Sequence, residues 1–308
     1  MKALLLAIEG GGTKTRILLG DAEGNVLARE TGGPASGLYI HRGTYARATA
    51  ALLHRIRRAA QDFDGRVVAV GMGGPMERNL IQTVVRQVFG RVSFVEAGES
   101  EIAFALYGLR WGISLIAGTG ASCRALNEDG VWAGCGGFGP QFGDEGSGYW
   151  IGRSAIAAAM RAGDGRGMPT VLTERLCAFY GVPRVFDLLT FIDRGGHVSG
   201  TKIAAFAPEV FAAAMGGDAV ARVICREAGH ELGKLVRATA QRVVWRTEPV
   251  PLVLTGGVFN GGSLIMEPVR AMFRRSAVRF HVYPVVPEPT EGIFRIMLAR
   301  SKTVDSKQ

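Results

Sequence analysis

Residues 3–8 form an apolar run that three consecutive glycines at 10–12 cut short. A run of that length closed by glycine predicts a buried strand ending in a tight turn. Residues 16–20 resume as a strand, and Asp21-Ala22-Glu23-Gly24-Asn25 has the composition of a turn leading into a third. Near 42–61 the apolar positions change to helical spacing, with Ala48, Ala51, Leu52 and Ile56 in register. A short buried strand at 67–71, a helix at 77–89, a strand at 92–95 and a helix at 101–109 follow. The pattern then restarts: a strand ends at Leu115-Ile116, Gly118-Thr119-Gly120 turns, a strand runs near 121–127, and Asn127-Glu128-Asp129-Gly130 signals a hairpin.

A shift of 108 residues superposes Ile8 on Ile116, Gly10 on Gly118 and Gly12 on Gly120, and also Arg16 on Arg124, Leu18 on Leu126 and Asp21 on Asp129. Matches in the glycine turn and both flanking strands suggest an internal duplication. Beyond it, helices are predicted at 145–162, 170–180, 200–215 and 218–246. A strand at 252–255, a glycine turn at 256–257, a helix at 262–275, a strand at 279–284 and a helix at 290–300 close the pattern. Strands alternating with helices predict an α/β fold. The repeated strand–turn–strand unit predicts two similar lobes with a cleft between them.

Composition sharpens this picture in three places. Glycine occurs 44 times in 308 residues, about double its usual share of roughly 7%, and it clusters at 10–12, 118–120, 136–139 and 256–262. Clusters of that kind mark backbone that comes close to a ligand. The net charge is +9, but the basic residues are scattered and no helix-turn-helix accompanies them, so no nucleic-acid partner is expected. The cysteines at 123, 135, 177 and 225 are too few and too dispersed for a disulfide framework, and without a C-x-x-C pair they do not suggest a zinc site. The opening apolar stretch is too short for a signal peptide, and no run reaches the eighteen or so apolar residues of a membrane helix. A cytoplasmic protein without a membrane partner is the expectation.

Three glycine turns, Gly10-Gly11-Gly12-Thr13, Gly118-Thr119-Gly120 and Gly256-Gly257, each follow a predicted strand. Backbone N–H groups freed in such turns form concave anion nests, and a threonine hydroxyl adds a donor. Lys14 comes too soon after the glycines for a Walker sequence, and the first turn opens a strand rather than a helix. Two opposed hairpins could grip nucleotide phosphates, with the third turn near the nucleoside.

These turns occur in order with Glu9, Ala117 and the string Gly136-Gly137-Phe138-Gly139…Gly143-Asp144-Glu145-Gly146-Ser147-Gly148-Tyr149-Trp150. Together they resemble the N-acetylglucosamine kinase family, part of the BadF/BadG/BcrA/BcrD ATPase group in the sugar kinase–Hsp70–actin superfamily. The resemblance runs from residue 9 to 257, and its most specific part is the Gly-Asp-Glu-Gly-Ser string. It implies two ribonuclease H-like (actin-like ATPase) domains with nucleotide and sugar in the cleft between them. The domains would be 1–115, with helix 290–301 packing back on it, and 116–289 with helical insertions. It also implies ATP and Mg²⁺ as cofactors and a homodimer.

Carried over by position, the resemblance places ATP phosphates at Gly10, Gly11, Gly12, Thr13, Gly118, Thr119 and Gly120, and adenosine at Gly256 and Gly257. Sugar contacts fall on Ala121, Ser122, Gly137, Phe138, Gly139, Pro140, Gln141 and Asp144. Ser36 stands where the family has a sugar-contacting Asn, and Glu9 where many superfamily members have a Mg²⁺-associated Asp. Cys123 and Cys135 match cysteines near the pocket in some members, though small buried hydrophobes read equally well there. The family's catalytic base is an Asp at a strand end; spacing to Ile102-Ala103 puts Glu99 there, with Glu96 as the competing acid. A Glu adds about 1.5 Å of reach, which the surrounding backbone must absorb, since misplacing a catalytic group by about 1 Å costs on the order of a hundredfold.

The implied reaction is transfer of the ATP γ-phosphoryl to the 6-hydroxyl of N-acetylglucosamine, with Glu99 taking the proton. Alternatives are phosphorylation of glucosamine or another hexose, a non-catalytic sugar-binding role, and an ATPase activator of a partner enzyme that shares an iron–sulfur cluster. The last requires closely placed Cys ligands, which residues 123 and 135, inside the sugar motifs, supply poorly.

Overall fold

The computed structural model describes residues 1–10, 14–33, 42–74, 76–189, 199–274, 276–286 and 288–305. The chain divides into two compact units, Met1–Arg110 with Val286–Gln308, and Trp111–Val285.

The first unit is built on a five-stranded sheet made of β1 (Lys2–Gly10), β2 (Thr15–Asp21), β3 (Val26–Gly32), β4 (Gly65–Gly73) and β5 (Ser93–Ala97), in the order β3-β2-β1-β4-β5. Strands β1, β4 and β5 run parallel; β2 returns antiparallel between β1 and β3, so it alone is reversed. The apolar run in β1 reflects burial on both faces. Leu4, Leu6 and Ile8 join a core with α1 (Arg42–Asp62) and α2 (Arg78–Phe89). Leu5 and Ala7 point the other way, toward α3 (Glu99–Leu106) and the last helix of the chain. That helix crosses from the far end of the sequence to bring Ile293, Phe294 and Met297 into this second layer. Its Gly292 lies against α3 so closely that a Cβ there would sit 2.4 Å from the Ile102 carbonyl oxygen. Gly292→Ala is therefore expected to lower stability by about 1–3 kcal/mol through overpacking, read as a Tm drop of several degrees in a thermal melt.

The second unit repeats the sheet. Its strands are β6 (Gly112–Ala117), β7 (Ala121–Leu126), β8 (Trp132–Gly136), β9 (Val250–Thr255) and β10 (Phe280–Val286), in the order β8-β7-β6-β9-β10. The duplication thus holds at the level of topology, with β6 corresponding to β1. Residue by residue it holds only up to the turn. Arg16 pairs with Glu9, whereas Arg124 pairs with Ser114 and not with Ala117, the residue 108 positions beyond Glu9. β6 ends one repeat position earlier than β1, and three residues join β6 to β7 where four join β1 to β2; together these differences slide the return strand along its ladder.

Among the described residues the α-helices of the second unit are α4 (Gly148–Gly163), α5 (Leu172–Tyr180), α6 (Gly200–Ala204), α7 (Ala207–Met215), α8 (Ala219–Ala240) and α9 (Ser263–Phe273). All but α6 share one core with the sheet. α8 buries Ala221, Ile224, Cys225, Ala228, Leu232 and Val236 at helical spacing. The first unit's closing helix is α10 (Pro289–Asp305). Among the described residues no single helix is long and apolar enough to cross a membrane.

Candidate active site

In the first unit, parallel pairing brings the ends of β1, β4 and β5 level: Glu9 is opposite Gly73, and Gly73 opposite Ala97. The outer ends of parallel strands are where open α/β sheets bind ligands. Gly74, at φ +85°, lets β4 come within van der Waals contact of Gly10, where a Cβ would sit 2.4 Å from the Gly10 carbonyl oxygen. Of the first turn, Gly10 ends β1; Gly11, Gly12 and Thr13 lie outside the described residues, as does Ser36.

Two acids compete for the role at the end of β5, and the backbone separates them. Glu96 is still in the strand and forms an ion pair with Arg78 at 3.4 Å. Glu99 lies past the strand end as the first residue of α3, exposed, where the positive end of the helix dipole favours a carboxylate. Glu101 completes that helix start by accepting the Gly98 N–H at 2.8 Å.

Glu9 has a different environment. Its side chain is 14% exposed, and Arg16 donates to its Oε2 at 3.0 Å. Burial raises its pKa above the usual carboxylate value; Arg16 opposes this, while the charges of Glu99 and Glu288 add to it. Among the described residues no group of three His, Cys, Asp or Glu side chains could hold a metal ion. A single carboxylate at a strand end does fit Mg²⁺, which is commonly held by one or two carboxylates together with substrate phosphates.

In the second unit the candidate residues form one constellation. The Gly118–Gly120 turn closes on itself through Gly118 N–H to Gly120 O (2.9 Å). The first amides of α4 support it from behind: Gly148 N–H donates to Gly118 O (2.8 Å) and Tyr149 N–H to Thr119 O (3.2 Å). Ser147 caps that helix by accepting from Trp150 N–H at 3.1 Å. Gly256, at φ +115°, packs onto the same turn, with room for no side chain because a Cβ would sit 2.2 Å from Ala117 O. Gly257 opens a 3₁₀ turn over Gly257–Gly261 and has open space beside it.

Asp144 is at the centre. It is 7% exposed, at φ +64°, a left-handed backbone that non-glycine residues rarely adopt. Its Oδ1 accepts the Ala121 N–H at 3.1 Å, and its carboxylate fills the space where Gly120 lacks a Cβ. Burial raises its pKa; the Ala121 hydrogen bond lowers it, and the charge of Glu145 raises it again. Ala121 links further, its carbonyl accepting the Gly137 N–H at 2.8 Å. Ser122 faces Gly137 on the outer side of β7. The loop that follows is exposed at Phe138, Pro140 and Gln141 and is held by Gly143 N–H to Gly139 O (2.9 Å).

Cys123 and Cys135 are cross-strand partners with free thiols. Cys123 is fully buried, and burial pushes its thiol up to about 12, the opposite of what a cluster-ligating thiolate needs.

The family model of the BadF/BadG/BcrA/BcrD ATPases matches residues 6–290. The chain belongs to this ATPase family. Among curated relatives, an N-acetylmuramic acid/N-acetylglucosamine kinase of Clostridium acetobutylicum is 28% identical over 97% of this chain and 98% of its own. An N-acetyl-D-glucosamine kinase of Dictyostelium discoideum is 29% identical over 98% and 99%. The crystal structure of a candidate N-acetylglucosamine kinase from Chromobacterium violaceum has a TM-score of 0.71 at 26% identity, covering 96% of this chain and 98% of that one. The two-sheet α/β architecture is thus the actin-like ATPase fold of this family. Arg16 and Glu288 carry no motif; the sequence marks Arg16 only as the repeat partner of Arg124, and its place opposite Glu9 comes from the folded register.

Proposed function

We propose that this BadF-family protein is an ATP-dependent kinase that phosphorylates N-acetylglucosamine at its 6-hydroxyl. The observation that carries the reading is Asp144: a buried carboxylate in a strained backbone conformation, set against a glycine turn whose own carbonyls are held by α4. Strain and buried charge of that kind persist where function requires them. Both curated relatives are kinases of N-acetylated amino sugars and match over nearly their whole length.

In this reading the backbone of the Gly118–Gly120 turn, with the Thr119 hydroxyl, binds ATP phosphates, and Gly256-Gly257 leaves room for the nucleoside. Asp144 accepts hydrogen bonds from sugar hydroxyls, and the 137–141 loop with Ser122 completes the sugar contacts. Glu99 takes the proton of the attacking hydroxyl. Glu9 is the residue that would hold Mg²⁺, which neutralises charge on the phosphates when bound. Sugar phosphorylation in the cytoplasm by a homodimer completes the proposal.

The test is ADP release with Mg·ATP across glucose, glucosamine, N-acetylglucosamine, N-acetylmannosamine and N-acetylmuramic acid, with a control lacking sugar. Release that rises with N-acetylglucosamine above all others supports the reading. Release indifferent to sugar, or none, overturns it.

A further inference from the structure

Glu9 is the least exposed acid in any described ion pair, and its partner does more than neutralise it. Arg16 faces Glu9 directly across the β1–β2 ladder. One nitrogen, Nη1, contacts Glu9 Oε2 at 3.0 Å; another, Nε, lies 3.7 Å from Glu288 Oε1. Glu288 immediately precedes α10, and Glu288 itself is held. Its Oε1 accepts from the Thr290 hydroxyl at 2.9 Å, and its carbonyl accepts the Glu291 N–H at 3.1 Å. Thr290 is 1% exposed. The same helix turn reaches β3 through Glu291 and Arg29, 2.6 Å apart, and α3 through Gly292 against Ile102. A guanidinium is a rigid planar fork, so two separate acid contacts fix its plane, and its plane fixes the carboxylate it touches.

We propose that Arg16 and Glu288 are positioning residues, which anchor the Glu9 carboxylate at the end of β1 to the first turn of α10 and so set the direction it presents to Mg²⁺-bound nucleotide. The inference rests on the role proposed above for Glu9. It assigns a task to residues that no motif marks. It also makes α10 the common support of Glu9, through Arg16, and of Glu99, through α3.

The test uses the full chain with Arg16→Met, Arg16→Lys and Glu288→Gln, each checked by thermal melt. ADP affinity is measured calorimetrically with and without Mg²⁺, alongside kcat and sugar KM. In Arg16→Met, kcat should fall about 10- to 100-fold, the size of an ångström-scale misplacement, with sugar KM little changed. The strengthening of ADP binding by Mg²⁺ should shrink by about fivefold or more, a coupling of about 1 kcal/mol. Arg16→Lys should recover part of both, because an ammonium reaches Glu9 but cannot hold two acids in one plane. Glu288→Gln should move both in the same direction by less, and it carries the test if Arg16→Met does not fold. A folded Arg16→Met or Glu288→Gln protein with wild-type kcat and wild-type Mg²⁺ effect overturns the proposal, as does wild-type ADP binding that ignores Mg²⁺. If no sugar supports ADP release, the kinase reading fails, and the Mg²⁺–ADP titration still decides the role of Arg16.

Discussion

Glu99→Gln is expected to lower the N-acetylglucosamine-dependent rate by about 10²- to 10⁴-fold, the usual contribution of a positioned general base. Glu99 is exposed at the first position of α3, where the helix dipole favours its charge by about 0.3–1 kcal/mol, so the substitution lowers stability only slightly. The loss should therefore appear in kcat with a melt lowered by no more than a few degrees. Glu96→Gln is the control. It removes an exposed ion pair with Arg78, worth about 0–1 kcal/mol, and should leave the rate near wild type. If the two variants exchange outcomes, the base is Glu96.

The second large effect separates activity from stability. Asp144→Asn keeps an acceptor for the Ala121 N–H, and Asn tolerates the left-handed backbone at φ +64°. It removes the charge that strengthens hydrogen bonds to sugar hydroxyls, each worth about 1.5–3 kcal/mol, so kcat/KM for sugar should fall about 10²- to 10³-fold. Stability should move the other way. Burial raises the folded pKa of Asp144 above 3.8, so the folded protein binds that proton more tightly than the unfolded chain. The wild type therefore gains stability as pH falls from the raised pKa toward 3.8, and at neutral pH it carries the cost of a buried charge. The variant should melt higher than wild type at pH 7, with the difference shrinking as pH approaches 3.8. A variant that melts lower at pH 7 would show the carboxylate to be a net stabiliser.

Much of this was readable from the sequence. The inner strands β1, β6 and β9 show as apolar runs because they are buried on two faces, and the glycine turns stand where those runs end; the edge strands β3 and β8 are half-exposed and show no such run. The residues at 200–215 read as one helix, yet they form two, because Pro208 at the start of α7 cannot donate to the preceding turn. The helix predicted to 246 ends at Ala240, where the Trp245 indole N–H turns back to its carbonyl at 2.9 Å. In the site, the string around Asp144 announces itself, but its hydrogen bond to Ala121 spans 23 residues, and no local pattern predicts it. The Arg16 link to Glu288 is less visible still. It depends on strand register at one end of the sequence and on a helix start some 270 residues later.

The return of α10 to the first sheet also bears on synthesis. A ribosome delivers β1 to α3 first, but the layer containing Leu5, Ala7 and Leu18 has to wait for Ile293, Phe294 and Met297. Until then the nascent chain presents a complete sheet with one apolar face only partly covered, by α3. The second unit, contiguous in sequence, has its whole core available earlier, so the part made first is the part finished last. During that interval the growing polypeptide is most open to chaperone capture and to mispairing with a neighbour on the same messenger.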